Sequence, residues 1–164
     1  MSMQSAAHSL NHRRRTLLLG VLMLNAATST LAKKPQATAV PVQVWKDPSC
    51  GCCKDWVTHL EKNGFAATTI DQGNSAARVR LGMPQRFGSC HTALVQGYVI
   101  EGHVPASDIR RLLKDRPDAL GLAVPSMPLG SPGMDGPAYE GRRHPYQVLL
   151  ILKDGSAQVF NSYS

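Results

Sequence analysis

Apolar and polar positions alternate over residues 40–45, with Val40, Val42 and Val44 on one side of an extended chain, and this period of two in valine-rich sequence predicts a β-strand. The period lengthens over 54–63, where Trp56, Val57 and Leu60 share one helical face and Gly64 follows at the place of a C-terminal cap. Residues 65–70 read as a second strand. A short helix over 75–81 is expected next, capped by Asn74 or Ser75 and closed by Gly82-Met83-Pro84. Strands over 93–95 and 98–100, joined at Gln96-Gly97, predict an antiparallel hairpin. A helix over 106–114 carries Ile109, Leu112 and Leu113 as its apolar stripe, with Pro105 near its first turn and Arg116-Pro117 ending it. Residues 121–141 are rich in Gly and Pro and read as one long loop, a kind of segment that tends to be functional. The chain closes on 146–152 and 157–160 around Lys153-Asp154-Gly155, a hairpin that would add edge strands.

Strand, connecting loop, helix and strand at the start of this series make a right-handed crossover if the strands are parallel. The expected fold is therefore α/β and thioredoxin-like, with a mixed central sheet flanked by helices, the long Gly/Pro/Met loop, and the C-terminal hairpin. Residues 40–164 form the one domain expected. Ahead of it, residues 1–32 read as an export signal: Arg13, Arg14 and Arg15, an apolar run over 17–24, then small residues ending at Ala32. Arg14-Arg15-Thr16-Leu17-Leu18 also resembles a twin-arginine signal, so export by either the general secretory or the twin-arginine route is expected, to the periplasm. Residues 33–39 read as a polar linker. The apolar run is far short of the ~20 residues of a membrane helix, so no stable membrane insertion is expected once the signal is cleaved.

Charge narrows the partners further. Loss of three arginines and no acid with the signal takes the net charge from +7 to +4, and the remaining basic residues lie in scattered pairs without interleaved aromatics. A nucleic-acid partner is not expected.

The chemistry gathers at Ser49-Cys50-Gly51-Cys52-Cys53, which holds three of the four cysteines. Cys52 and Cys53 fall where a helix start offers free N–H donors and the positive end of its dipole, which favours thiolates. Cys50 and Cys53 have the C-x-x-C spacing of thiol-disulfide oxidoreductases. Cys52 is superfluous to that chemistry, whereas three clustered thiolates are what soft ions such as Cu(I) or Zn²⁺ select. A structural disulfide with one spare small residue is the plain alternative. In a thioredoxin-like fold the loop before the third strand faces the cysteine loop. Cys90 and His91 would then join Cys50, Cys52 and Cys53, although 37 residues separate Cys53 from Cys90. Otherwise Cys90 is a small buried hydrophobe and His91 a histidine bonded to backbone. His103, at a strand end, either orients the site or fixes its loop, and His59 reads as a packing or surface residue rather than a ligand. Met127 and Met134, in the Gly/Pro loop, either supply thioethers to a soft metal or plug the loop onto the core.

Four separated stretches carry a family resemblance: Trp45-Lys46-Asp47-Pro48-Ser49-Cys50-Gly51-Cys52-Cys53; Ser89-Cys90-His91-Thr92; Val99-Ile100-Glu101-Gly102-His103-Val104-Pro105; and Gly121-Leu122-Ala123-Val124-Pro125 through Gly133-Met134. In this order they resemble the CopG family of exported copper-resistance proteins. The resemblance implies a thioredoxin-like protein that holds a cysteine-bridged multinuclear copper cluster in the periplasm and handles or interconverts Cu(I) and Cu(II), as a copper oxidoreductase if it turns over. It implies Cys50, Cys52, Cys53 and Cys90 as ligands, with His91, His103, Met127 and Met134 around them, and copper ions and other periplasmic copper-handling proteins as partners. Two rival readings are a thiol-disulfide oxidoreductase using Cys50 and Cys53, and a zinc-stabilised structural module, which accommodates four sulfurs but not the methionine loop.

Overall fold

The computed structural model describes residues 38–164. The expected export signal, 1–32, lies outside the described residues, as does the linker up to residue 37; Thr38 and Ala39 precede the first strand without regular structure. No helix among the described residues is long and apolar enough to cross a membrane.

Seven strands form one mixed sheet: β1 (Val40–Lys46), β2 (Phe65–Ile70), β3 (His91–Val95), β4 (Tyr98–Glu101), β5 (Gly121–Ala123), β6 (Tyr146–Ile151) and β7 (Ala157–Tyr163). Their spatial order is β2-β1-β3-β4-β5-β6-β7. Helices α1 (Gly51–Lys62), α2 (Ser75–Arg80) and α3 (Ala106–Asp115) connect them. β1 and β2 are parallel, joined through α1, and β1 pairs antiparallel with β3. β3 and β4 make the expected hairpin, whose turn has Gln96 at φ 47° and Gly97 at φ 90°. Two successive positive φ values match the right-handed twist of the flanking strands.

The long loop begins later than the composition implies, because Gly121–Ala123 is a strand, parallel to β4 and antiparallel to β6. Its glycine is a requirement of close approach: a Cβ on Gly121 would stand 1.8 Å from the Val99 carbonyl oxygen. The C-terminal hairpin pairs β6 with β7 and extends the sheet beyond β5, as an edge.

Both faces of the central strands are covered. On one, Trp56, Leu60, Ile109 and Leu112 from α1 and α3 pack on Val44, Ala93, Ile100 and Leu122. On the other, Met83 and Phe87 pack on Val99, Ala123 and Ile151. All four residues of β4 are buried, which explains why this strand reads as nearly continuous apolar sequence rather than as an alternation.

Candidate metal centre

The first turn of α1 is built from cysteines. Cys50 is its N-cap, with extended φ −67° and ψ 100°, and its sulfur accepts the Cys53 N–H at 3.3 Å. Here a sulfur takes the place of the oxygen that normally satisfies a free N–H at a helix start. Cys53 points inward and is fully buried, while Cys50 and Cys52 are half-buried. Cys50 and Cys53 are joined as a disulfide and Cys52 and Cys90 are free thiols.

Sheet register brings the second segment over. Lys46 at the end of β1 pairs with His91 at the start of β3, so Cys90 emerges beside the loop that leads into α1. Cys52 Sγ lies 3.6 Å from Cys50 Sγ and 3.8 Å from Cys90 Sγ. All four sulfurs fall within 4.8 Å of one another, and the same limit encloses Cys90 Sγ with ring nitrogens of His91 and His103.

The two imidazoles stand behind Cys90. His103 Nε2 is 3.1 Å and His91 Nδ1 3.4 Å from its sulfur. His103 Nδ1 lies 2.8 Å from the Pro132 carbonyl oxygen, which can only accept; the bond therefore assigns the proton to Nδ1 and turns the Nε2 lone pair to Cys90. That is how a carbonyl commonly orients a metal-ligating histidine. His91 is fully buried between the Trp56 ring, 4.2 Å away between centroids, and His103, 4.9 Å away edge-on. Its Nε2 has no hydrogen-bond partner among the described residues.

Burial dominates the electrostatics. It pushes the Cys90 thiol up to about 12, helped by the neighbouring Cys52. Burial likewise holds His103 below the usual imidazole range and His91 well below it. At neutral pH the site offers a protonated Cys90 and two neutral rings. A thiol so reluctant to ionise is a poor nucleophile, because the thiolate is the attacking species. It suits a ligand whose proton leaves only when a metal ion takes its place.

The Gly/Pro loop packs onto this centre. Gly133, at φ +86°, lies so close to α1 that a Cβ would be 2.5 Å from the Cys52 carbonyl oxygen and 2.8 Å from the Trp56 nitrogen. Met134 is buried beside it, whereas Met127 is 48% exposed and lines, with Ser89, Cys90 and Ser126, an open hollow of about 380 Å³. His59 stands apart on α1, half-buried, its Nε2 accepting the N–H of Ala106 at 3.1 Å.

Two contributors escape sequence reading. Pro132 acts through its carbonyl, which no residue type advertises. Tyr139 has its phenol pKa raised by burial and then by the nearby Cys52, Asp55 and Cys90. Nothing in the Gly/Pro composition around it marks it out.

Known proteins resemble this chain to different extents. The family described as a protein of unknown function, DUF411, matches residues 87–134, the stretch from before Cys90 to Met134. No curated protein matches the chain. Two solved structures, of copper resistance protein CopG in its Form 2 and Form 1, are each 46% identical. They cover 77% and 76% of this chain and 99% and 98% of their own, with TM-scores of 0.71 and 0.70. Identity at that level along the whole of the solved chains means that this protein belongs to the CopG family of copper resistance proteins.

Proposed function

We propose that the protein, once a periplasmic dithiol reductant has opened the Cys50–Cys53 disulfide to two thiols, serves copper resistance in the periplasm by holding a small thiolate-bridged copper cluster on Cys50, Cys52, Cys53 and Cys90. His103, His91, Met127 and Met134 complete its surroundings, and the cluster interconverts Cu(I) and Cu(II) by exchanging one electron per ion with an external one-electron redox partner. One observation carries this reading: four sulfurs from two distant segments lie within 4.8 Å of one another. Thiolates can bridge ions, and soft sulfur donors select Cu(I) over harder ions. The copper-resistance name of the solved relatives supports the choice of metal over zinc.

The Cys50–Cys53 disulfide favours a second reading, thiol-disulfide exchange at the C-x-x-C pair. The two readings diverge at Cys52. Under thiol exchange, Cys52→Ser keeps insulin-reducing activity, since only Cys50 and Cys53 carry the chemistry. Under copper binding, losing one of four bridging ligands dismantles the cluster, and Cys52→Ser fails nearly as fully as Cys50→Ser.

The experiment is an anaerobic Cu(I) titration of the reduced protein with elemental analysis, run beside copper-challenge growth and insulin reduction on the same variants. More than one Cu(I) per chain in the parent, lost in Cys52→Ser, is the expected result. A stoichiometry of one or less, or full copper tolerance in Cys52→Ser with exchange activity that Cys50→Ser abolishes, overturns the proposal.

A further inference from the structure

Arg78 and Glu101 form an ion pair of 2.8 Å with side chains 6% and 0% exposed. What they bond is the chain on either side of Cys90 and His91. Glu101 Oε1 accepts the Ser89 N–H at 2.7 Å and the Arg78 Nε–H at 2.9 Å, while Oε2 accepts the Thr92 hydroxyl at 2.6 Å. Arg78 Nη2 donates to the Ser89 carbonyl at 2.5 Å. Asn74, at the start of α2, uses its side-chain amide on the same carbonyl at 3.1 Å and on Thr92 Oγ1 at 3.2 Å. Ser89 is thus held by both its N–H and its carbonyl, Thr92 is held by its side chain, and Cys90 and His91 lie between.

The same glutamate lies close in the chain to His103. Glu101 is two residues before His103, and the intervening Gly102 donates its N–H to the His91 carbonyl at 3.0 Å. A Cβ on Gly102 would be 2.5 Å from Ser89 Oγ, so the two segments approach as only glycine permits.

Stability does not account for the pair. Taking two charges out of water costs enough that well-packed apolar residues of similar volume often serve a fold as well or better. Outer groups that orient metal ligands, in contrast, commonly govern affinity. We propose that Arg78, Glu101 and Asn74 are positioning residues of the metal centre: a buried polar clamp on Ser89 and Thr92 that aims Cys90 Sγ at Cys52 and at His103 Nε2.

This rests on the copper reading, so the test has one arm that needs no copper. The double variant Arg78→Met/Glu101→Leu removes both charges together and leaves neither buried alone; Asn74→Ala is the milder change. In reduced protein, three quantities are read: the melting temperature of the metal-free form, the Cu(I) affinity in competition with bicinchoninate, and the iodoacetamide alkylation rate of Cys90 relative to Cys52. The double variant is expected to melt at or above the parent temperature while Cu(I) affinity falls roughly 10- to 100-fold and Cys90 alkylates several-fold faster. Asn74→Ala, having lost one hydrogen-bonding group, is expected to lose about three- to tenfold in affinity with an unchanged melt. A folded double variant with parental Cu(I) affinity and parental Cys90 alkylation refutes the clamp. If the double variant does not fold, Asn74→Ala decides: lower affinity at an unchanged melt supports the clamp, parental affinity and alkylation refute it. A parent that binds no Cu(I) removes the copper reading, and the alkylation comparison still decides whether these residues position Cys90.

Discussion

Gly133→Ala tests whether the Gly/Pro loop is fastened to the cysteine helix. Two costs arise. The residue has φ +86°, and a side-chain-bearing residue held in the left-handed region costs roughly 1–2 kcal/mol. The new methyl would also stand 2.5 Å from the Cys52 oxygen and 2.8 Å from the Trp56 nitrogen. Both are backbone atoms of the first turns of α1, which cannot yield without displacing Cys52, so the loop must lift; overpacking of this kind costs about 1–3 kcal/mol. Together these give about 2–5 kcal/mol, or a melting temperature roughly 8–20 °C lower in a domain of this size. Lifting the loop also withdraws the Pro132 carbonyl that fixes the His103 proton, so copper affinity should fall with stability. Gly136→Ala is the control, since Gly136 has φ −72° and open space around its Cα; it should be neutral or stabilising by up to about 1 kcal/mol. Calorimetry on the reduced, metal-free proteins reads both variants. A Gly133→Ala protein melting within about 2 °C of the parent would show that the steric argument fails.

Cys90→Ser should lose copper while the metal-free melt barely moves, because Cys90 is only half-buried and a hydroxyl can still donate to His103 Nε2; collapse of the metal-free fold would return Cys90 to a packing role. Gly51→Ala, with nothing near the added methyl, should raise metal-free stability by about 0.5–1 kcal/mol by removing a flexible residue from a helix, and a lower urea midpoint would contradict this. Burial, the first cause in each case, depresses the pKa of His59, His91 and His103 in the metal-free protein. The unfolded chain takes up these protons near 6.5 and the native chain only at lower pH, so stability is full above about pH 7 and lost as pH falls, by up to about 1.4 kcal/mol per pH unit for each ring. Urea midpoints that stay flat between about pH 7 and pH 5 would refute that assignment. With its thiol pushed up to about 12, Cys90 must give up a proton when metal binds, so calorimetric titrations in buffers of different ionisation enthalpy should reveal proton release.

Much of this architecture was legible because it is local. The alternation of Val40, Val42 and Val44 and the face of Trp56, Val57 and Leu60 locate β1 and α1, and the cysteines lie at their junction. Convergence of Cys90 on that junction followed from topology, since β3 must pair beside β1. β5 was hidden because three residues are too few for a period, and its Gly121 marks close strand approach rather than a turn. Asn74 or Ser75 is the cap the sequence predicts for α2; Asn74 holds the N-cap position, yet no side-chain cap bond forms there, and its amide serves Ser89 and Thr92 instead. Local propensity cannot foresee tertiary bonds that engage the side chain elsewhere. The Arg78–Glu101 pair was invisible for a similar reason, as charged residues in a chain ordinarily read as solvated surface.

The division of the sulfurs between two segments bears on the order in which folding and metal capture occur. Cys50, Cys52 and Cys53 are neighbours in any conformation of the chain, whereas Cys90 arrives only when β3 closes on β1, and His103 when β4 closes on β3. With the Cys50–Cys53 disulfide reduced, the unfolded chain is therefore already a three-thiol chelator. An ion that binds both ensembles stabilises the native one only by the difference between them. That difference resides in the groups folding brings to the trio, Cys90 and His103 among them, so copper met early would be captured by the local trio without hastening the fold, and only these remote groups let the metal distinguish a finished sheet from an unfinished one.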